Sequence, residues 1–171
     1  MGLLGKGLLG MSRMASAAVL ANIVRAAREA PDEMGAEWIP VLQDVPLFAG
    51  LSKRHLRRVA GLAQAVRFSA GATIVRSGAR GETFYVILDG AASVRAAGVT
   101  AQLGPMDFFG EMSLLDGGPR AATVVAEDET LTMRLSRAPF MKLIESEPDI
   151  ARGIMKELVR RIRLLEVSPN A

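Results

Sequence analysis

Glu111 and Arg120, nine positions apart in FGEMSLLDGGPRAATV (residues 109 to 124), are the pair of residue types best suited to chemistry in this sequence. Arg120 offers a planar cation that can hold a phosphate through two parallel N–H groups. Gly110 lets a backbone approach a ligand closely. Ser113 to Leu115 are predicted to form one helical turn whose free N–H groups face an anion. Glu111, just before that turn, cannot favour phosphate by its charge and is read as an acceptor for sugar hydroxyls. Together these parts describe a ligand with one phosphate beside a ribose hydroxyl. The competing reading is an ion pair between Glu111 and Arg120 across a turn, which implies no ligand.

Composition removes other chemistries. The 171 residues suffice for one domain plus an appendage, and the core must be aliphatic because only 5% of residues are aromatic. With no Cys and one His, a zinc cluster, thiolate nucleophile, iron–sulfur centre or disulfide framework is excluded, and the absence of Cys suits a reducing, cytoplasmic setting. No metal site, catalytic residue or cofactor is expected. His55 stands alone among bases and is assigned no chemistry. Charge is segregated: residues 51 to 80 hold seven bases and no acid, whereas 81 to 130 hold eight acids and only Arg95 and Arg120. Such a basic stretch permits nucleic-acid contact, but a solvated helix face explains Lys53 to Arg58 as well.

The elements that must position the site follow from periodicity. Between Val66 and Leu135 the short runs VRF, TIV, ETFYVIL, ASVRA, VTAQL, ATVVA and LTMRL are separated by glycine. At least seven strands at this spacing predict a small barrel or jelly roll, with Gly71, Gly78, Gly81, Gly90, Gly98 and Gly104 at tight turns or positive φ. A helix is predicted from Ser52 as N-cap to about Gln64, with Leu51, Leu56, Val59, Ala60, Leu62 and Ala63 buried. After Pro139 a second helix carries the stripe Ile150, Ile154, Leu158, Ile162 and Leu165. Upstream, the uncharged run Met14 to Val24 is too short to span a bilayer, which takes about twenty residues. An amphipathic helix from Ser12 to Ala30, with Val19, Ile23 and Ala26 or Ala27 on one face, packs on its own domain, docks a partner, or lies on an anionic membrane. Trp38 anchors an interface or packs internally.

The 109 to 124 segment resembles the phosphate-binding cassette of the cyclic nucleotide-binding domain family. The resemblance extends through PLFAGL at 46 to 51, GATIVRSG at 71 to 78, FYVILDG at 84 to 90, LGPMDFFGE at 103 to 111 and PRAATV at 119 to 124, and covers residues 40 to 165. It implies a mainly β fold with flanking helices: an eight-stranded barrel or jelly roll with a helical lead-in and a C-terminal helix. The implied division is an N-terminal helical extension at 1–39, a binding domain at 40–167 and a tail at 168–171.

By that likeness Arg120 binds the cyclic phosphate, Glu111 the ribose 2′-hydroxyl, and the backbone of Gly110 and Ala121 completes both contacts, with Met112, Ser113 and Ala122 in the same ligand-binding loop. Relatives that favour cGMP often carry Thr after the arginine; Ala121 stands there, so cAMP is the expected ligand and cGMP the second choice. Met106 occupies a turn position where the family often has Gly, and Met112 replaces a common Leu. Leu164 and Leu165 are the candidates for capping the base.

The expected role is a non-enzymatic cyclic nucleotide-binding regulatory module. Only Ser168 to Ala171 follow Val167, so no helix-turn-helix DNA reader is expected, and output is expected to pass to a separate effector, docked by residues 1–39, or through a homodimer of the C-terminal helix. In that scheme ligand neutralises Arg120, orders 110 to 119 and repacks the 139 to 167 helix. The alternative is an adaptor or cargo protein that docks through the same barrel without nucleotide. A cupin-type enzyme is disfavoured because one histidine cannot build its metal site.

Overall fold

In the computed structural model, which describes residues 16–167, two four-stranded antiparallel sheets face each other. The strands are β1 Gln64–Phe68, β2 Thr73–Val75, β3 Thr83–Asp89, β4 Ala92–Ala96, β5 Val99–Leu103, β6 Phe108–Phe109, β7 Thr123–Ala126 and β8 Thr130–Ser136. One sheet runs β1-β8-β3-β6 and the other β2-β7-β4-β5, the crossed order of a jelly roll. Six helices flank them: α1 Ala17–Glu29, α2 Ile39–Asp44, α3 Lys53–Ala60, α4 Glu111–Asp116, α5 Arg137–Ser146 and α6 Pro148–Val167. Among the described residues no helix is long and apolar enough to cross a membrane.

β3 shows why its run FYVIL is apolar without alternation. Successive side chains of a strand point to opposite faces. Phe84, Val86 and Leu88 join the core beneath the helices, while Tyr85 and Ile87 join the core between the sheets. A central strand covered on both faces needs no polar side.

The lead-in is part of the same core. Ile23, Ala27, Met34 and Trp38 are buried with Val86, Met133 and Phe140, and Arg28 reaches Asp89 at 2.6 Å and Glu129 at 3.0 Å. Thus α1 packs on its own domain over 17–29, and the expected start at Ser12 lies outside the described residues; Ser16 caps the helix, its hydroxyl accepting from the Val19 N–H. Val19, expected on the buried face, is exposed.

Several boundaries differ from expectation. The helix at 53 stops at Ala60, because Gln64 begins the β1 ladder opposite Arg134. β6 is only two residues long and shows no periodicity to read. The C-terminal helical region begins at Arg137 and divides at Glu147 and Pro148. Pro139 fits inside α5 because the first turn of a helix does not use its N–H groups. Ile150 and Ile154 are buried, but Ile162 and Leu165 are exposed where α6 outruns the domain. Gly81 and Gly104 do not take positive φ, whereas Met106 does, at 69°. The Met106 N–H donates to the Ile87 carbonyl at 2.7 Å, which holds this turn in a glycine-type conformation.

His55 is also less isolated than its sequence neighbours suggest. Glu147, from the α5–α6 junction, lies 3.8 Å from its Nε2 and also pairs with Arg54 and Arg58.

The β4–β5 hairpin turns through Ala97 and Gly98, both with positive φ, between the paired residues Ala96 and Val99. Alanine is strained there and asparagine is not. Ala97→Asn is expected to raise stability by about 0.5–1 kcal/mol, read from the urea midpoint at unchanged m-value.

Candidate functional site

Arg120 is placed by backbone pairing on both sides. The loop before β3 runs alongside the segment before β7: the Arg120 N–H donates to the Ala79 carbonyl, the Gly78 N–H to the Arg120 carbonyl, and the Gly81 N–H to the Gly118 carbonyl, at 2.8, 2.8 and 3.0 Å. The guanidinium thereby turns inward, and the residue is only 8% exposed. Its Nη2 donates to the Thr83 hydroxyl at 2.8 Å. Its Nη1 is buried with no hydrogen-bond partner. Burial lowers the pKa of Arg120, opposed by the nearby Tyr85. A guanidinium keeps its proton, so the fold encloses a charge that pairs with no carboxylate among the described residues.

Two glycines make that placement possible. Gly110 has φ of 87°, and a Cβ there would come within 2.6 Å of the Thr83 carbonyl and crowd Arg120 Nη1. Gly81 has no room for a Cβ, which would collide with the Ser113 side chain.

α4 begins at Glu111, two residues earlier than the turn expected from sequence. Leu114 already donates to the Gly110 carbonyl at 3.1 Å, so the N–H groups without intrahelical partners are those of Glu111, Met112 and Ser113. Ser113 is buried against Gly81, with its hydroxyl directed to the Gly118 carbonyl at 3.4 Å. Met112 is exposed, Ala121 is exposed, and Ala122 packs on the core between the sheets.

Glu111 and Arg120 do not pair. Glu111 is buried, and its partner is Arg161 on α6, whose Nη1 lies 3.3 Å from Oε1 and 3.5 Å from Oε2. Burial raises the Glu111 pKa above its ordinary value, and Arg161 acts the other way. Arg161 Nε lies 3.5 Å from Glu157, which also holds Arg160 at 2.6 Å. Arg161 Nη2 is buried and unpartnered. Leu165 lies one turn beyond Arg161 on the same side of the helix and Leu164 lies beside it; both are exposed.

Of the residues expected from sequence, Gly110 lies against Arg120, while Glu111 turns to Arg161; Thr83 and Arg161, which hold the two charged side chains, were not singled out. Thr83 opens an apolar strand and looks like a β-former. Arg161 sits in the run RRIR, where nothing distinguishes the one base that turns inward.

Among the described residues no cluster of His, Asp and Glu is arranged for a metal. The geometry suits an anion: a buried cation, a glycine turn and a helix start, beside a carboxylate that can accept hydrogen bonds from hydroxyls.

Comparison with known proteins gives the same picture. The family model for the cyclic nucleotide-binding domain matches residues 65–147. A cAMP-dependent protein kinase regulatory subunit of Aspergillus fumigatus is 38% identical over 117 residues, covering 65% of this chain but 28% of its own. The chain thus spans under a third of that relative. The N-terminal domain of a transcriptional regulator from Streptomyces coelicolor superposes with a TM-score of 0.68 at 27% identity, covering 77% of this chain and 98% of that one. A cyclic nucleotide-binding-like protein from Brucella abortus superposes at 0.57 with 31% identity, covering 63% and 97%. The cassette, the two sheets and these relatives agree: the chain belongs to the cyclic nucleotide-binding domain family.

Proposed function

We propose that this protein is a non-enzymatic cyclic nucleotide receptor that prefers cAMP and passes its state to a separate protein. The observation that carries the reading is Arg120, a buried cation with one N–H left unpartnered beside Gly110 and the start of α4. A cyclic phosphate supplies the missing charge and acceptor. It sits against the guanidinium and the first N–H groups of α4, with the backbone at Gly110 and Ala121 closing around it. Glu111 takes the ribose 2′-hydroxyl. The purine then extends toward α6, where Leu165 and Leu164 are the candidate cover. Ala121 offers no hydroxyl to a guanine, and the cAMP-dependent relative supports the same preference.

Ligand biases a helical arrangement only through a difference in affinity between arrangements. The path here is short, because Glu111 belongs to the cradle and contacts α6 through Arg161. The output surface is the outer side of α6, where Met155, Val159 and Ile162, spaced four and three apart, are exposed. A second copy fits that seam as a coiled-coil partner over about two turns, bounded by Arg152 and Glu166. Within the described part of 1–39, Ile23, Ala27, Met34 and Trp38 are already committed to the core.

Calorimetric titration is expected to show cAMP binding, with cGMP weaker. Arg120→Met should remove about 2–5 kcal/mol of binding, the cost of stripping one partner from a buried charged contact. Its ligand-free melting temperature should not fall, because an uncompensated buried charge has been replaced by an apolar chain. Unchanged cAMP affinity in that variant would reject the assignment.

Glu111→Gln tests the other half of the site. Because burial raises the Glu111 pKa in the fold, its ionised form costs stability above that pKa and the cost is relieved as pH falls through it. Near neutral pH the Gln variant is therefore expected to melt no lower than wild type while binding cAMP more weakly; a lower melting temperature contradicts the sign.

Light scattering at rising protein concentration is expected to move from the monomer mass toward twice that value, and Val159→Asp should abolish the shift. A wild-type protein that stays monomeric removes the second copy from α6.

A further inference from the structure

Each sheet has two edge strands, and three of the four are protected. β1 lies against α1, with Arg67 donating to the Arg28 carbonyl at 2.9 Å. β2 is three residues long and its register slips between Thr73 and Val75, and β6 has only two residues. Short, bulged or covered edges are how folds keep other chains from adding a strand. β5 has none of these devices. It pairs with β4 without a break, from Ala92 opposite Leu103 to Ala96 opposite Val99, and among the described residues no strand lies on its other side. Its sequence, VTAQL, contains no charge and no proline, and Val and Thr favour extended backbone. The two faces of β5 differ. Leu103 packs between the sheets and Ala101 lies opposite Val94 on that face, whereas Thr100 and Gln102 point outward and are exposed. Beside Thr100, on β4, stands Arg95, which is exposed and forms no ion pair among the described residues. Beside Gln102 stands Glu127, whose carboxylate accepts from the Gln102 amide at 2.9 Å. The free edge is therefore neutral along its length, with a cation behind one end of its outer face and a carboxylate behind the other.

Building on the receptor reading above, we propose that the free edge of β5 docks an extended segment of the effector protein as an antiparallel fifth strand of its sheet. The segment carries a carboxylate opposite Thr100, facing Arg95, and a base opposite Gln102, facing Glu127. β-Branched residues stand opposite Val99 and Ala101. A side chain opposite Thr100 lies two strand spacings from Arg95, about 10 Å between backbones, which an arginine and a glutamate span together. Backbone hydrogen bonds hold the segment, and the two charges set its register and direction. A second copy of this chain is a poorer occupant. Two rigid rolls meeting edge to edge offer little besides five residues of strand toward the about 800 Å² per partner that a stable interface buries. An extended segment has no such limit, because the rest of its protein supplies further contact elsewhere.

The test is amide NMR of the nitrogen-labelled full chain with millimolar synthetic peptides, with and without cAMP. The probe is acetyl-Ser-Thr-Lys-Val-Glu-Val-Ser-amide, whose Glu falls opposite Thr100 and whose Lys falls opposite Gln102 in the antiparallel register. Its shifts are expected at residues 99 to 103. Replacing its Glu by Lys should weaken binding by about threefold, the worth of a cross-strand charge pair, and Arg95→Glu should reverse that preference. A probe N-methylated along its core backbone should not bind, since it has no donors for the ladder. Absent shifts, shifts elsewhere, binding of the N-methylated probe, or an Arg95→Glu variant that keeps the wild-type preference overturns the proposal. The peptide controls use wild type and decide the matter should the variant fail to fold. A Val159→Asp protein whose 99 to 103 amides shift with its own concentration gives the edge to a second copy and overturns it too. If the probe seats on β5 while calorimetry shows no cAMP binding, the receptor reading falls and the docking edge stands; cAMP binding without the probe removes only the edge.

Discussion

A guanidinium taken out of water without an anion is the constraint around which this molecule is arranged. Arg120 cannot lose its proton, so the fold can lower the penalty only by supplying dipoles. It supplies one neutral acceptor, the Thr83 hydroxyl, and leaves Nη1 unpaired. In a domain whose net stability is a small difference between large terms, an uncompensated ion of this kind is a substantial cost. A ligand with a single negative phosphate removes it. The paired backbones around residues 78 to 81 and 118 to 120 matter for this reason: they fix the main chain on either side of Arg120, while Thr83 holds the guanidinium inward.

β3 links that constraint to the rest of the protein. Its first residue, Thr83, holds Arg120, and its last, Asp89, holds Arg28 of α1. Between them the strand faces both cores, Phe84, Val86 and Leu88 on one side and Tyr85 and Ile87 on the other. The cradle thus rests on one of the best-buried strands, between β8 and β6, and not on a loose loop. Preorganised charge benefits from such rigidity, because any relaxation of the empty site is subtracted from the free energy of binding.

How much of this could be read from sequence depended on whether the signal was local. The glycine and arginine of the cassette are local: Gly110 is needed where a Cβ would crowd Arg120. The strands were legible because β-type runs and glycine punctuation recur, although β6 is too short to carry a period. Helix ends were less legible. Gln64 continues the helical pattern in sequence but is taken by the ladder with β8, a tertiary bond that outweighs a weak local preference. Met106 shows the same in reverse: a residue poorly suited to positive φ is held there by pairing with Ile87. Arg161 and the Glu147 contact with His55 depend on how α6 and α5 lie over the domain, and no spacing rule encodes that.

The two buried ions of the cassette carry opposite charge, stand nine positions apart, and are not joined by an ion pair. Had they paired, each would have neutralised the other and the site would have had no use for a ligand. Gly110 and the start of α4 keep them separate: one carboxylate turns to the C-terminal helix and one guanidinium turns to Thr83. Their pKa shifts have the same origin, burial that disfavours the charged form of each, upward for Glu111 and downward for Arg120. In the proposed reading a cyclic nucleotide meets both demands, with an anion for Arg120 and a hydroxyl for Glu111. Separating opposite charges inside a fold is unfavourable by itself. In the proposed reading it becomes useful because a small rigid molecule bridges them, and one of the two is already attached to the C-terminal helix.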